Sequence, residues 1–243
     1  MSANERALSF GRAAAEYERG RPEWPDEAVD HPIGELELSA EAPVLDLAAG
    51  TGKLTRKLLP RFKRVVAVEP HDAMRALLET TAPQAEALAG TASAIPLGDE
   101  EVGAVFVGEA FHWFAGPEEL AEIARVLKAC GALVLLWHKP LSEGLLPRGF
   151  GDDARTDRER AESGAWREAF SGSPFEPLHE ANFEFVQQID REGVLDYFAS
   201  ISPIASLRDD ERRARMHFIA DQLDRNAYER RWRVEVHWTR LTA

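Results

Sequence analysis

The chain of 243 residues holds one cysteine, Cys130, so an internal disulfide is excluded. Cys130 precedes Gly131 at an expected helix end and reads as a small buried filler. Basic side chains are scarce: 29 lysines and arginines stand against 42 aspartates and glutamates, a formal net charge of -13. Such a surface repels phosphate backbones and anionic lipid, so neither nucleic acid nor membrane is expected as a partner. No apolar run approaches the length of a bilayer crossing. The opening MSANERALSF has no apolar signal core, and a soluble cytoplasmic protein is expected. The seven histidines and the cysteine lack close metal-ligand spacing, so no metal is expected. A Gly-x-Ser-x-Gly elbow is also missing, which disfavours a Ser-His-Asp hydrolase. Internal repeats and long low-complexity tracts are absent.

What is present is a core-forming pattern. Hydrophobic residues make up 44% of the chain, enough for one α/β domain with a small appended subdomain. From Pro43 onward, apolar runs alternate with amphipathic stretches. APVLDLA, RVVAVE, AEALAG, VGAVFVG and ALVLLWH read as strands. KLTRKLLPRF, HDAMRALLETTA and GPEELAEIARVLKAC read as helices, the last expected to run to Cys130 with Gly131 as its cap. Strand-helix alternation implies parallel pairing with right-handed crossovers, and continuous apolar strands imply a sheet covered on both faces. The fold class is therefore α/β with a doubly wound, mostly parallel sheet. Ligands in such sheets lie at the carboxyl ends of the strands. Those tips are Asp46 to Gly52, Glu69, Gly90 to Ser93, and Gly108 to His112. After Pro140 the pattern weakens. FEFVQQID and RWRVEVHWTRL read as strands, and REGVLDYFAS and LRDDERRARMHFIADQLDR as helices between them.

The stretch DLAAGTGKLT, Asp46 to Thr55, suggests a nucleotide loop. A triphosphate loop needs glycine five residues before its Gly-Lys and a hydroxyl after the lysine; Leu47 and Leu54 occupy those places. Lys53 is then an exposed residue of a helix's first turn. A dinucleotide fingerprint fits in part, with Gly50 and Gly52, but its third glycine is Thr55 and Asp46 would face pyrophosphate. An adenosine ligand with a cationic methionine suits the stretch better. Asp46 would favour the sulfonium side or orient the loop, Gly50 and Gly52 would let backbone approach a flat ligand, and Glu69 would accept both ribose hydroxyls.

In combination these stretches resemble class I S-adenosylmethionine-dependent methyltransferases with a type 11 methyltransferase domain. Asp46-Leu-Ala-Ala-Gly-Thr-Gly52 is similar to their glycine-rich first motif, with Ala48 in place of the more frequent first glycine. Val68-Glu69-Pro70-His71-Asp72-Ala73-Met74 resembles the ribose-binding segment. Gly90 to Leu97 resembles the adenine-edge segment, with Thr91 and Ser93 in place of its usual acids, and Gly108 to Trp113 resembles the fourth motif. Upstream, SFGRAAAEYERGRPEWP resembles the N-terminal lid of a trans-aconitate methyltransferase-like subgroup.

The resemblance implies a Rossmann-like methyltransferase sheet with an antiparallel C-terminal strand and a small helical cap. It implies S-adenosyl-L-methionine as cofactor. It divides the chain into a lid at 1–30, a cofactor-binding core at 31–140, an irregular linker or lid at 141–180, and the last two strands at 181–243 with a helical cap at about 191–228. The implied cofactor contacts are Phe10, Tyr17, Arg21, Asp46, Ala48, Gly50, Gly52, Glu69, Pro70, Met74, Ala92, Ser93 and Gly108. Phe10 would help close the site. Tyr17 and Arg21 would reach the methionine carboxylate, Met74 would lie against adenine, and Ala92 and Ser93 would sit at its edge. His112 stands equally as a general base or as a locally bonded residue, and Trp137 and His138 as substrate-side or buried residues. The expected reaction is methyl transfer to a small molecule, with a carboxylate or hydroxyl oxygen favoured, by a monomer or homodimer. A non-catalytic binding module and an NAD-dependent oxidoreductase stay open as alternatives.

Overall fold

The computed structural model describes residues 13–141 and 163–242. Two helices precede the sheet: α1, Ala14–Gly20, and α2, Asp26–Glu35. Then come β1 (Val44–Leu47), α3 (Lys53–Leu58), β2 (Val65–Val68), α4 (Asp72–Thr81), β3 (Glu86–Leu88) and β4 (Val102–Gly108). A 3-10 turn at Phe111–Trp113 leads to α5 (Pro117–Val126) and β5 (Leu127–Pro140). A second such turn, Ala165–Phe170, precedes β6 (His179–Asp190), α6 (Arg191–Ser200), α7 (Ser202–Ala205), α8 (Asp209–Gln222) and β7 (Ala227–Arg240).

The seven strands form one sheet in the order β3-β2-β1-β4-β5-β7-β6. Strands β1 to β5 pair in parallel, and β7 runs antiparallel to both β5 and β6. This is the expected doubly wound sheet with its antiparallel C-terminal strand, and α6 to α8 form the cap between β6 and β7. Every residue of β1 (VLDL) and β2 (VVAV) is buried, as strands covered on both faces require. Alternate residues enter different cores. Leu45, Leu47, Val105 and Val107 pack with Leu120 and Ile123 of α5 on one face. Val44 and Phe106 pack with Ala28 and Val29 of α2 and Leu54 and Leu58 of α3 on the other. The cap has a small core of its own around Val194, Phe198, Ile204 and Ile219. Chain order reverses on the two sides of β1, between β2 and β4, and this opens a crevice at the carboxyl ends. Among the described residues no helix is long and apolar enough to cross a membrane, and no group of His, Cys, Asp or Glu is placed to hold a metal ion.

Several local expectations fail for physical reasons. The helix expected to reach Cys130 stops at Val126, because Leu127 pairs with Val102 and starts β5. Gly131 is therefore a strand residue, not a helix cap. Cys130 is exposed, not buried, with a left-handed φ of 58°. Lys53 does begin α3, yet it is buried, because Glu23 forms an ion pair with it. Helix α2 has no counterpart in the sequence reading, since Pro32 interrupts its pattern. Most of the irregular linker, residues 142–162, lies outside the described residues, as does Phe10. Its tail carries the Ala165–Phe170 turn, which presses Trp166 against Trp137 with ring centroids 4.7 Å apart.

The N-terminal helix is wedged between core and cap. Glu18 accepts from Arg56 at 2.7 Å, which ties α1 to α3. Arg19 makes a bidentate pair with Asp196 of α6 at 2.7 and 2.9 Å, and Arg212 of α8 reaches Glu16 at 3.1 Å. The helices touch at Gly20. A Cβ there would lie 2.1 Å from the Tyr197 backbone nitrogen and 2.5 Å from the Asp196 carbonyl carbon. Backbone cannot yield as a side chain can, so Gly20→Ala is expected to cost about 1–3 kcal/mol. The same variant should speed tryptic cleavage at Arg19 and Arg21. Denaturant titration and limited proteolysis check this; wild-type stability and cleavage rate in Gly20→Ala would refute the close crossing.

Candidate functional site

The turn after β1 is built from left-handed backbone. Ala48, Gly50 and Gly52 have φ of 59°, 60° and 86°. Ala48 therefore sits where an L-residue is strained, so its replacement of glycine carries a backbone cost. Within the turn, Ala49 N–H donates to the Val68 carbonyl and Gly52 N–H to the Ala49 carbonyl, while Gly50 N–H is taken by Glu69 at the end of β2. Its Oε2 accepts from Gly50 N–H at 2.8 Å and its Oε1 from His71 N–H at 2.8 Å. Burial pushes the Glu69 pKa up, and these amides pull against that shift. Two amides do not exhaust the acceptor capacity of a carboxylate.

Asp46 lies on β1 beneath this turn. Its Oδ2 accepts from Thr55 Oγ1 at 2.6 Å, while Oδ1 is buried without a partner. Burial lifts its pKa to about 7, with Glu69 adding to the rise and Thr55 opposing it. Without a cation beside it, burial disfavours the charged form of Asp46. The Thr55 bond fixes α3 on β1, the loop-orienting role. It also accounts for threonine at the place of a dinucleotide fingerprint's third glycine. Thr51 Oγ1 is a second buried polar atom without a partner, so β1 and its turn hold two polar atoms still short of a hydrogen bond.

The other expected contacts divide. Met74 is buried, and its sulfur would lie 3.7 Å from a Cβ added to Gly50, which puts it beside the turn. Ala92 is buried in the core beside β3, whereas Ser93 is exposed with its hydroxyl 3.2 Å from that of Thr91. Pro70 is exposed. Gly108 faces packing atoms, since a Cβ there would meet Trp24 Cζ2 at 2.9 Å. Tyr17 is half-buried, and its pKa is raised to about 12, by burial first, with Glu109, Glu69 and Glu18 adding to the rise and Arg21 opposing it. Arg21 turns toward the cap, where Nε donates to Ser200 Oγ at 3.0 Å, and its guanidinium stacks 5.1 Å from the Tyr17 ring centre.

His112 sits in the Phe111–Trp113 turn. Its Nδ1 accepts from the indole N–H of Trp137 at 3.1 Å. An indole can only donate, so Nδ1 carries the lone pair and the neutral ring keeps its proton on Nε2.

Glu109, which the sequence reading passed over, completes the tip of β4. With φ of 60°, it turns back to accept from the His138 backbone N–H at 2.6 Å and from His138 Nδ1 at 2.9 Å. Burial opposes its charge, but His138 and the nearby Arg21 hold its pKa below the usual carboxylate value. His138 in turn stacks on Trp24 with centroids 3.9 Å apart. A glutamate one residue beyond an apolar strand was the only available signal, and its left-handed backbone was not visible in it.

The raised Asp46 pKa has a consequence for stability. The folded protein binds this proton more tightly than the unfolded chain, whose value is the ordinary 3.8. Its contribution is thus fully present below that value and is lost as pH rises toward 7, by up to about 1.4 kcal/mol per pH unit. Denaturant titrations from pH 4 to pH 8 should show wild type losing stability relative to Asp46→Asn as pH rises, then running parallel to it. A constant difference across that range would refute the shift.

Comparison with known proteins follows the same lines. Residues 45–135 match the model of the methyltransferase domain family. An uncharacterised methyltransferase-like protein of Schizosaccharomyces pombe is 33% identical over 224 residues, 88% of this chain and 85% of its own. An uncharacterised methyltransferase of Mycobacterium tuberculosis is 47% identical over 137 residues, 56% of this chain and 55% of its own, so that match spans about half its length. A solved structure from Anaeromyxobacter dehalogenans, provisionally described as a type II methyltransferase, shares the fold. Its TM-score is 0.67 at 22% identity, covering 90% of this chain and 97% of that one. The chain belongs to the class I methyltransferase family, whose fold and domain imply S-adenosyl-L-methionine as methyl donor.

Proposed function

We propose that this protein transfers a methyl group from S-adenosyl-L-methionine to a small-molecule acceptor, at a carboxylate or hydroxyl oxygen. The observation that carries this reading is the Glu69 carboxylate held 2.8 Å from the Gly50 amide, at the mouth of the crevice beside β1. A bound donor would supply an activated methyl on a sulfonium, and the chain's own groups bind and align.

Glu69 holds the ribose diol with the acceptor capacity its amide bonds leave. Ala48, Gly50 and Gly52 present backbone to the nucleoside, and the two buried atoms short of partners, Asp46 Oδ1 and Thr51 Oγ1, suit a polar ligand there. Met74 and Ala92 wall the adenine, with Pro70 and Ser93 at the exposed rim. Tyr17 and Arg21 approach from the lid toward the methionine carboxylate, which the donors of a phenol and a guanidinium suit. Gly108 brings the backbone of β4 to the methionine end; Phe10, outside the described residues, is assigned to site closure by the family resemblance alone. That upstream segment is also the basis for the trans-aconitate methyltransferase-like subgroup.

Rate then comes from alignment: holding nucleophile, methyl and sulfur in line can supply on the order of 7–11 kcal/mol. His112 contributes as a hydrogen-bond donor through Nε2, polarising or orienting the acceptor. Acting as a base would require Nδ1 to give up Trp137. A carboxylate acceptor needs no base and fits this arrangement better than a hydroxyl. The small-molecule assignment rests on the acidic surface and on a site bounded by lid and cap. A dimer is not required by this scheme.

Calorimetry with S-adenosylhomocysteine should show binding, and Glu69→Gln should weaken it about tenfold or more, the loss expected for hydrogen bonds to a charged group. Tight NAD binding with no response to S-adenosylhomocysteine would overturn the assignment in favour of an oxidoreductase. Intact donor binding without turnover on any small acceptor would favour a binding module. Once an acceptor is known, His112→Gln should lower kcat without changing donor affinity and leave the pH profile unchanged in shape. Loss from the wild-type profile of an acid limb when His112 is replaced would instead make His112 the base.

A further inference from the structure

Arg230 stands where β7 has run past the end of β5. Two residues later Trp232 pairs with Pro140, the last residue of β5, while Arg230 itself pairs with Gln187 of β6 beneath the cap. It is 6% exposed. Its guanidinium lies 3.8 Å from the Tyr197 ring centre and 4.3 Å from that of Trp232. No carboxylate among the described residues forms an ion pair with it, and its Nη1 is buried without a hydrogen-bond partner. In a chain with a net charge of -13, a buried cation left without an anion is out of pattern. The rings offset part of its lost hydration and the Tyr197 side chain favours its charge by hydrogen bonding and electrostatics, yet Nη1 keeps no partner within hydrogen-bond geometry. Burial above all depresses the Arg230 pKa; Tyr197 opposes the shift and the like charge of Arg21 adds to it.

The surroundings lead back to the crevice. The Trp232 ring lies 6.0 Å from that of His138, whose Nδ1 is bonded to Glu109 at the tip of β4. Arg21 shares the Tyr197 ring, lying 5.2 Å from its centre, and is also stacked on Tyr17 and bonded to Ser200. The two guanidinium groups thus meet at one ring of the cap, with Tyr17 of α1 beside them.

We propose that Arg230 determines acceptor specificity: its Nη1, which lacks a partner, docks an anionic group of the methyl acceptor, a carboxylate foremost, beside the Tyr197 and Trp232 rings. This rests on the methyl-transfer reading of the site. A guanidinium offers the paired donors that a carboxylate accepts, and an anion there would satisfy Nη1 and cancel the repulsion from Arg21. Acceptors whose anionic group is esterified or absent would then be poor substrates.

The test uses the full chain saturated with S-adenosylhomocysteine and three anion probes: acetate, benzoate and inorganic phosphate. At least one should bind wild type and bind Arg230→Met about tenfold or more weakly, as loss of a charged hydrogen-bond partner predicts. Arg230→Lys should retain part of that affinity. Arg230→Met should also raise the Tm of the ligand-free protein, because it removes an unpaired buried charge. Affinity for 5′-methylthioadenosine, which lacks the amino-acid end, should match wild type in both variants. The proposal is overturned if no probe distinguishes wild type from Arg230→Met, or if Arg230→Met lowers Tm, which would make the residue a structural stack. It is also overturned if Arg230→Met weakens S-adenosylhomocysteine and not 5′-methylthioadenosine, which would assign Arg230 to the donor's carboxylate. Failure of wild type to bind S-adenosylhomocysteine would instead sink the donor reading itself.

Discussion

A buried carboxylate bound to backbone amides holds the crevice together. Glu69 is 3% exposed, and water cannot stabilise its charge there. Gly50 and His71 do so instead, each with one N–H at 2.8 Å. The first bond requires the β1 turn to bring its amide across to the end of β2, which it does through left-handed residues at 48, 50 and 52. The parallel register places the strands so that the turn and Glu69 meet: Leu47 pairs with Val68, and each chain then leaves the sheet. Sheet register, turn conformation and carboxylate position are therefore one constraint, and the geometry proposed for nucleoside binding depends on it.

The N-terminal helix extends that constraint to the cap. Glu23 buries the charge of Lys53 at the first turn of α3, and Glu18 holds Arg56 one turn on. The opposite face of the same helix is fixed to α6 by Arg19 with Asp196, and its end by the contact at Gly20. Several of these pairs are partly exposed, where each contributes little. Their effect is mainly geometric: they align a helix whose Tyr17 and Arg21 lie between the donor turn and the cap. The cap has its own small core, so it packs as a unit and places Tyr197, Ser200 and Arg230 together.

The site is electrostatically graded. Acids at the strand tips, Asp46, Glu69 and Glu109, lie on one side; the guanidinium groups of Arg21 and Arg230 lie toward lid and cap. Each acid is stabilised differently. Asp46 has one hydroxyl, and burial raises its pKa; Glu69 uses amides, and Glu109 uses His138. These differences follow from what each strand end happens to face, and they separate three carboxylates that look alike in the chain.

Strand identity, sheet class and the glycine-rich turn were legible in the sequence because they rest on local pattern: apolar runs such as VVAV, turn glycines, and an acid closing a strand. The cofactor class was legible because the family's motifs are short stretches of sequence, and it follows from the family match. Tertiary structure alone decided the rest. Leu127 follows the pairing of β4 and leaves the helix its composition favours, because strand pairing outweighs local propensity. Lys53 is buried because Glu23, thirty residues earlier, reaches it. The tautomer of His112 depends on Trp137, and the burial of the Arg230 charge on Tyr197 from the cap. Such contacts join residues far apart in the chain, and their energies depend on burial, a property of the assembled fold that no short stretch of sequence contains.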